Sequence, residues 1–186
     1  MFETEGWVFR CADAGDAKAV RELVRAAYGG YVARMRRESK PMTADYDAAI
    51  RNHKVWVLFD SATLLAVLEL IAEPDAFILE NIAVANDLQG QGVGGRLLAF
   101  AENEAQRQGY DEIQLYTNSL MGTNVALYAG RGYTETRREP LGAVAVARMS
   151  KSTKNKGNEF LRRPFSSNSK HALIPTAVLG GRYGNS

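Results

Sequence analysis

The sequence of 186 residues is 46% hydrophobic and 24% charged, which is enough apolar material for one domain of ordinary size. No apolar run approaches the roughly 20 residues of a membrane-spanning helix, and the first residues lack the basic and apolar regions of a signal peptide. The single cysteine excludes an intrachain disulfide and, with only two histidines, argues against a zinc site. We therefore expect a cytoplasmic protein without a metal and without membrane association.

The net charge of +2 conceals a division of the chain near residue 151. Residues 1–150 carry 16 Lys and Arg against 20 Asp and Glu, whereas residues 151–186 carry 7 against 1. The second part is also rich in Ser and Asn and has little to bury. This composition predicts a folded domain over residues 1–151 and a basic, poorly ordered extension over residues 152–186. For that extension, simple solvation is favoured over nucleic-acid binding.

The predicted elements follow the spacing of apolar residues along the chain. A strand at Val8–Cys11 precedes a helix over Asp16–Ala27, which Tyr28–Tyr31 is expected to end, and a short helix capped by Thr43 ends near Asn52. The later elements are strands at Lys54–Phe59, Thr63–Ile71 and Ala76–Val84, a helix over Arg96–Gln108, a strand at Glu112–Thr117, a helix over Thr123–Arg131, and strands at Tyr133–Glu139 and Ala143–Ser150. This order indicates a mixed sheet with helices packed on it, in the α+β class.

The segment Gln89–Gly95, with the sequence Gln-Gly-Gln-Gly-Val-Gly-Gly, follows a predicted strand and opens a helix. Glycines let the backbone approach an anion closely, and the N–H groups of a first helical turn point toward it. The segment therefore predicts a site for a phosphorylated ligand. A dinucleotide site through Gly90, Gly92 and Gly95 is the alternative, but the motif lies in the middle of the chain and no acidic residue ends the next strand.

Two motifs together resemble the GNAT superfamily of acetyl-CoA-dependent N-acetyltransferases. The family motif Gln/Arg-x-x-Gly-x-Gly/Ala is met by Gln89, Gly92 and Gly94, and a second family element by the run from Asn124 to Tyr133. The resemblance covers about residues 7–151. It implies a mixed, mostly antiparallel sheet flanked by helices, whose fourth and fifth strands splay apart. The pantetheine arm of the co-substrate acetyl-CoA would lie between those strands.

The resemblance also implies which residues bind acetyl-CoA. Backbone groups of the fourth strand would hold the pantetheine and acetyl groups, and N–H groups of the glycine segment would hold the pyrophosphate. The side chains of Gln89 and Gln91 could add donors, and Arg96 could add a positive charge. Asn124 would contact the cofactor or cap its helix. The cofactor-binding residues implied are Ile82, Ala83, Val84, Gln89, Gly90, Gln91, Gly92, Val93, Gly94, Gly95 and Asn124.

Two side chains are candidates for the chemistry. Tyr128 matches the family tyrosine that protonates the departing thiolate, with packing of its ring in the core as the alternative. Glu80 is expected on the same strand face as Ile82 and Val84, where an unpaired buried carboxylate would be costly. A general base acting through a water molecule would explain it, and a salt bridge to a neighbouring strand is the alternative.

The predicted function is transfer of an acetyl group from acetyl-CoA to an amine of a small molecule or peptide, by direct attack on the thioester. A catalytically silent acyl-CoA sensor of the same fold is the alternative. Acceptor specificity is expected from Tyr28–Asp45 and from Asn118–Gly122. The first segment carries four basic residues that could attract an anionic acceptor, although a solvated charge run is favoured: Arg34, Arg36, Arg37 and Lys40. A homodimer is compatible with the sequence, which does not specify an oligomeric state.

Overall fold

A computed structural model describes residues 6–35, 38–118, 122–141 and 144–154. The strands are β1 (Trp7–Cys11), β2 (Lys54–Asp60), β3 (Thr63–Glu73), β4 (Ala76–Val84), β5 (Glu112–Asn118), β6 (Thr134–Leu141) and β7 (Val144–Ser152). The helices are α1 (Ala17–Met35), α2 (Lys40–Thr43), α3 (Tyr46–Asn52), α4 (Val93–Arg107) and α5 (Gly122–Gly130). The predicted extension lies outside the described residues from position 155 onward, so its disorder and the domain boundary stay predictions.

The described strands form one seven-stranded sheet in the order β1-β2-β3-β4-β5-β7-β6. Neighbouring strands are antiparallel except β4 and β5, which are parallel. The predicted α+β class, with a mixed and mostly antiparallel sheet, is confirmed. The parallel pair requires a crossover connection, which α4 supplies.

Apolar side chains cover both faces of the sheet in two large clusters. One cluster joins β3, β4 and β5 to α4, on which Val93, Leu97 and Ala101 are buried and Phe100 packs against the cluster while partly exposed. The other joins α1 and α3 to β2 and β3, with Val20, Val24 and other residues buried. The sheet is therefore a middle layer between helices. None of the helices in the described parts of the chain is long and apolar enough to span a membrane.

The prediction that α1 ends at Tyr28–Tyr31 is wrong, because the helix continues through Gly29 and Gly30 to Met35. Each glycine costs about 1 kcal/mol relative to alanine in a helix interior. Packing outweighs that cost: Tyr28 is fully buried, and Tyr31 and Val32 pack against the second cluster. The glycine pair itself is exposed, with nothing within 4 Å of either added Cβ.

The predicted cap at Thr43 is also wrong, because two helices lie where one was expected. Thr43 ends the four-residue helix α2, and Asp45 caps α3 by accepting a hydrogen bond from the Ala48 backbone N–H at 3.0 Å. Both Thr and Asp are favourable caps, so the sequence did not separate them. In the two-helix arrangement, Lys40 of α2 lies beside β4, with its Nζ 3.4 Å from Glu80 Oε1.

A buried hydrogen-bond chain joins this helical layer to β4. The Tyr28 hydroxyl donates to Asn81 Oδ1 at 2.8 Å, and Asn81 Nδ2 donates to the Tyr46 hydroxyl at 3.1 Å. The Tyr46 hydroxyl in turn donates to the Pro41 carbonyl at 2.8 Å. Asn81 therefore fixes α1, α2 and α3 against one strand.

Replacing Asn81 by Ala should lower the free energy of unfolding by about 3 kcal/mol, because two buried hydroxyls each lose one hydrogen-bond partner. Urea unfolding of the variant and the wild type measures the difference. Asn52→Ala is the control, since Asn52 is exposed at the end of α3 and should change stability by less than about 0.5 kcal/mol. Equal losses in the two variants would show that the chain of hydrogen bonds does not stabilise the fold.

Candidate active site

The parallel pair β4 and β5 is joined over only part of its length. The ladder runs through Phe77–Ile113 and Ile78–Gln114 and ends at Leu79–Leu115, although β4 continues to Val84 and β5 to Asn118. Beyond that point β4 is paired with β3, and β5 with β7. Beyond Leu79–Leu115 the two strands are not paired with each other, which is the arrangement that an extended ligand bound through backbone groups would require.

A β-bulge interrupts β4 where the strands part. Glu69 on β3 pairs with Asn81, but the next residue, Leu70, pairs with Leu79. Glu80 is therefore the extra residue on β4. A bulge adds a residue on one strand, bends it and changes the direction of side chains near it.

The bulge corrects the prediction for Glu80, which was expected on the same face as Ile82 and Val84. Ile82 and Val84 lie in the cluster packed against α4. Glu80 and Asn81 instead line a cavity beside α2 and α3. The extra residue breaks the two-residue period, so alternation alone assigned the wrong face.

This cavity has a volume of about 240 Å³ and lies between the helical layer and the parting strands. Its walls combine four apolar residues with seven polar or charged ones. The lining residues are Lys40, Pro41, Ala44, Asp45, Ala48, Ala49, Asn52, His53, Glu69, Glu80 and Asn81. A cavity with a few convergent titratable groups is the expected form of a site for a small molecule.

Glu80 is a buried carboxylate in this cavity, with 9% of the residue exposed. Lys40 Nζ lies 3.4 Å from its Oε1 and lowers the cost of burial. Burial nevertheless raises the pKa of Glu80, and the nearby carboxylate of Glu69 acts in the same direction while Lys40 opposes them. The predicted alternative of a salt bridge is thus partly realised, though with a helix residue. A carboxylate with a raised pKa is also a better proton acceptor than a surface one.

A second buried carboxylate in the cavity is paired with an imidazole that the sequence did not single out. His53 Nδ1 donates to Glu69 Oε1 at 2.6 Å, and the Glu69 side chain is only 6% exposed. This hydrogen bond raises the pKa of His53, whereas burial opposes the shift. The two residues are 16 positions apart on different elements, so no local motif could have revealed the pair.

The glycine segment has the backbone that an anion cradle needs. Gly90 and Gly92 have φ of 77° and 86°, a left-handed conformation that other residues adopt only with strain. Gly92 precedes α4 without any side-chain cap, and the first helical hydrogen bond runs from Arg96 N–H to the Gly92 carbonyl. The N–H groups of residues 93–95 therefore have no acceptor within the helix.

The two glutamines of this segment brace it from within. Gln89 Nε2 donates to the Val84 carbonyl at 3.2 Å, and Gln91 Nε2 donates to the Asp87 carbonyl at 2.7 Å. Their side-chain amides thus hold the turn against the end of β4. Binding of an anion by these two side chains stays a prediction.

Arg131 contributes a cation at the same helix end. An added Cβ on Gly95 would lie 2.9 Å from both Cζ and Nη1 of Arg131, so the guanidinium occupies the space that a side chain there would fill. A cation is unfavourable at a helix N-terminus unless an anion joins it. Arg131 lies 36 positions after Gly95 in the chain, within the second motif, and no role was predicted for it.

Tyr128 and Asn124 both lie on α5 and are buried, with 2% and 0% of each residue exposed. Tyr128 belongs to the same cluster as Ile82 and Val93, and its ring meets that of Tyr133 edge-on at 5.7 Å. Burial raises the pKa of Tyr128, which keeps its phenol protonated at neutral pH. The ring is therefore packed in the core, and its role as an acid stays a prediction.

The predicted acceptor segments are only partly described. Residues 36–37 and 119–121 lie outside the described residues, as does the side chain of Arg34. Of the four basic residues, Lys40 faces the cavity and is paired with Glu80. Its charge therefore balances a buried carboxylate within the protein.

A comparison with known protein families matches the part of the chain that contains β4, the glycine segment and β5. Residues 51–135 match the family model described as the acetyltransferase (GNAT) domain. Residues 51–135 therefore resemble a GNAT acetyltransferase domain. A search of curated proteins gives no significant match.

Solved acetyltransferase structures share the fold of this chain at low sequence identity. The PaiA N-acetyltransferase of Thermoplasma acidophilum, in complex with coenzyme A, is 17% identical with a TM-score of 0.65, and the match covers 78% of this chain and 98% of that one. A GNAT family acetyltransferase of Elizabethkingia anophelis with acetyl-CoA bound is 15% identical, with a TM-score of 0.62 and coverage of 80% and 99%. The ribosomal-protein-S18-alanine N-acetyltransferase of Escherichia coli is 17% identical, with a TM-score of 0.60 and coverage of 82% and 97%.

If the glycine segment holds the diphosphate of coenzyme A, replacing Gly92 by Ala should weaken coenzyme A binding by about tenfold, since the backbone no longer rests in its left-handed conformation at the cradle. Calorimetric titration measures the affinity. Gly109→Ala is a matched control at the other end of α4, with φ of 85° against 86° and, like Gly92, nothing within 4 Å of its added Cβ. Both variants should lose about 1 kcal/mol of stability. Equal affinities in the two variants would contradict a cradle at Gly92.

Proposed function

We propose that this protein transfers the acetyl group of acetyl-CoA to an amine, as an N-acetyltransferase. The observation that carries the proposal is the end of the β4–β5 ladder at Leu79–Leu115, next to the uncapped N-terminus of α4. In acetyl-CoA, the extended pantetheine arm would require the open strand edge, and the diphosphate would require the helix N-terminus beside it. The single cysteine, Cys11, fits a protein that works in the reducing cytoplasm.

Acetyl-CoA would lie along the open edge of β4. Backbone groups of Ile82–Val84 would hold the pantetheine and acetyl groups, and the N–H groups of Gln89–Gly95 would hold the diphosphate. Arg131 supports the second contact, since its guanidinium already lies over Gly95. Asn124 would reach the cofactor from α5. No side chain with metal-binding chemistry is needed for these contacts.

The acceptor amine would enter from the cavity on the α2 and α3 side, where Glu80 lies at the bulge. The amine nitrogen attacks the thioester carbonyl carbon and forms the C–N bond. The nitrogen then gives a proton to Glu80 through a water molecule. A backbone N–H near Ile82 stabilises the oxyanion. As the C–S bond breaks, the departing thiolate takes a proton from the phenol of Tyr128.

The acceptor is an amine whose remaining structure the fold does not specify. The solved structures with this fold include an enzyme named for a ribosomal-protein alanine and another named for nourseothricin, which are chemically unlike. A shared fold and cofactor site therefore leave the acceptor open. The cavity volume of about 240 Å³ favours a small molecule or a single residue at the end of a peptide.

The test is an acetyl-transfer screen with isotope-labelled acetyl-CoA and a panel of alkylamines, polyamines, amino acids, aminoglycosides and peptide N-termini. We expect labelled amide product with at least one class, together with release of coenzyme A. Tight binding of acetyl-CoA without transfer to any amine would support the sensor instead. Failure to bind acetyl-CoA would overturn both functions.

A further inference from the structure

The proposed reaction must remove two protons from the acceptor nitrogen, and Glu80 accounts for one. An alkylamine reaches the site as an ammonium ion, which has no lone pair for attack. One proton must leave before the C–N bond forms, and a second leaves the nitrogen after it forms. A second proton acceptor facing the same cavity would separate these steps.

The cavity holds a histidine arranged for this task. Glu69 accepts the hydrogen bond of His53 Nδ1–H at 2.6 Å, which leaves the lone pair of the neutral ring on Nε2. His53 lines the cavity, yet its side chain is 31% exposed, so a proton taken from the cavity can pass to solvent. The buried carboxylate of Glu69 stabilises the imidazolium that results.

The charges around the ring come from three other elements. Lys40 of α2 faces the cavity, Glu69 lies on β3, and Glu80 lies on β4. The two carboxylates favour a protonated His53, and Lys40 opposes protonation. Lys40 is paired with Glu80. Among the described cavity residues, His53 is the one whose side chain has an ordinary pKa near neutrality.

We infer that His53, oriented by Glu69, removes the first proton from the ammonium form of the acceptor before attack. The proton passes from the acceptor nitrogen to His53 Nε2 and then to solvent. The neutral amine attacks the thioester, and the second nitrogen proton goes to Glu80. This inference rests on the proposed acetyl transfer and adds a catalytic residue to it.

The test compares an alkylamine from the screen with its 2,2-difluoro analogue, which is largely uncharged at mildly alkaline pH and needs no first deprotonation. In His53→Gln, the ratio of kcat/KM for the alkylamine to that for the difluoro analogue should fall by about 100-fold relative to the wild type. A purely structural role would lower both values together and leave the ratio unchanged. Lys54→Gln is the control, because Lys54 adjoins His53 in sequence but pairs with Glu104 of α4 at 3.6 Å.

A second measurement tests the dyad without turnover. The chain has two histidines, so imidazole NMR signals of His53 can be assigned by their loss in His53→Gln. We expect Glu69→Gln to lower the pKa of His53.

An unchanged kcat/KM ratio in His53→Gln, or a His53 pKa that does not change in Glu69→Gln, would overturn the inference. Neither result would contradict the proposed acetyl transfer. A wild-type protein that acetylates no amine would overturn the proposed function, and this inference with it.

Discussion

Replacing Tyr128 by Phe should lower kcat for acetyl transfer by about 100-fold, because the departing thiolate loses its proton donor. The ring packs in the core with Tyr133, and Phe keeps that packing. Burial raises the pKa of Tyr128, so the wild-type phenol stays protonated across the neutral range. The affinity for acetyl-CoA, measured by calorimetry, should change far less than kcat, measured from steady-state release of coenzyme A.

Tyr133→Phe is the matched control for this prediction. Tyr133 is as deeply buried as Tyr128, with 2% exposed, and meets it edge-on. It has no part in the proposed chemistry, so kcat should stay at the wild-type value. A Tyr128→Phe enzyme with wild-type kcat would show that Tyr128 is only a packing residue.

Glu80→Gln should lower kcat/KM for the acceptor by about 100-fold, since the amide is close in shape but cannot accept the nitrogen proton. The affinity for acetyl-CoA should stay at the wild-type value, because Glu80 faces the proposed acceptor cavity on the α2 and α3 side. Glu104→Gln is the control: Glu104 is a buried carboxylate on α4 that accepts hydrogen bonds from Arg107. That variant should lose stability and keep its turnover.

The pH dependence gives a further check on Glu80. Its pKa is raised above the ordinary value of 4.5, and the neighbouring Lys40 limits the rise. Removing that cation in Lys40→Met should therefore raise the pKa of Glu80 further and, with the difluoro analogue that needs no deprotonation by His53, move the acidic limb of kcat/KM to higher pH. A limb that stays in place, or a Glu80→Gln enzyme with wild-type kcat/KM, would assign the proton to another group.

Apolar spacing and glycine chemistry were enough to predict most of the sheet. The strand Ala76–Val84 was predicted with its observed bounds, and Gly90 and Gly92 marked the turn before α4. Such signals are local: a strand repeats every second residue, and a left-handed turn requires glycine. Local signals also failed where tertiary contacts decided the outcome, as at Gly29 and Gly30 within α1.

The parts of the site that the sequence missed all depend on distant residues meeting. One extra residue at Glu80 turns that side chain to the opposite face, and nothing in the strand's composition marks a bulge. His53 and Glu69 pair only because α3 ends beside β3. Arg131, which directly follows α5, contacts Gly95 of α4. Periodicity carries no information about such contacts.

The structure of the protein with coenzyme A tests the central claim most directly. The account predicts the pantetheine between β4 and β5 beyond Leu79–Leu115, and the diphosphate on the N–H groups of residues 89–95. The thiol should then lie toward Glu80 and the cavity. A complex with the ligand bound elsewhere, or with β4 and β5 paired along their whole length, would contradict it.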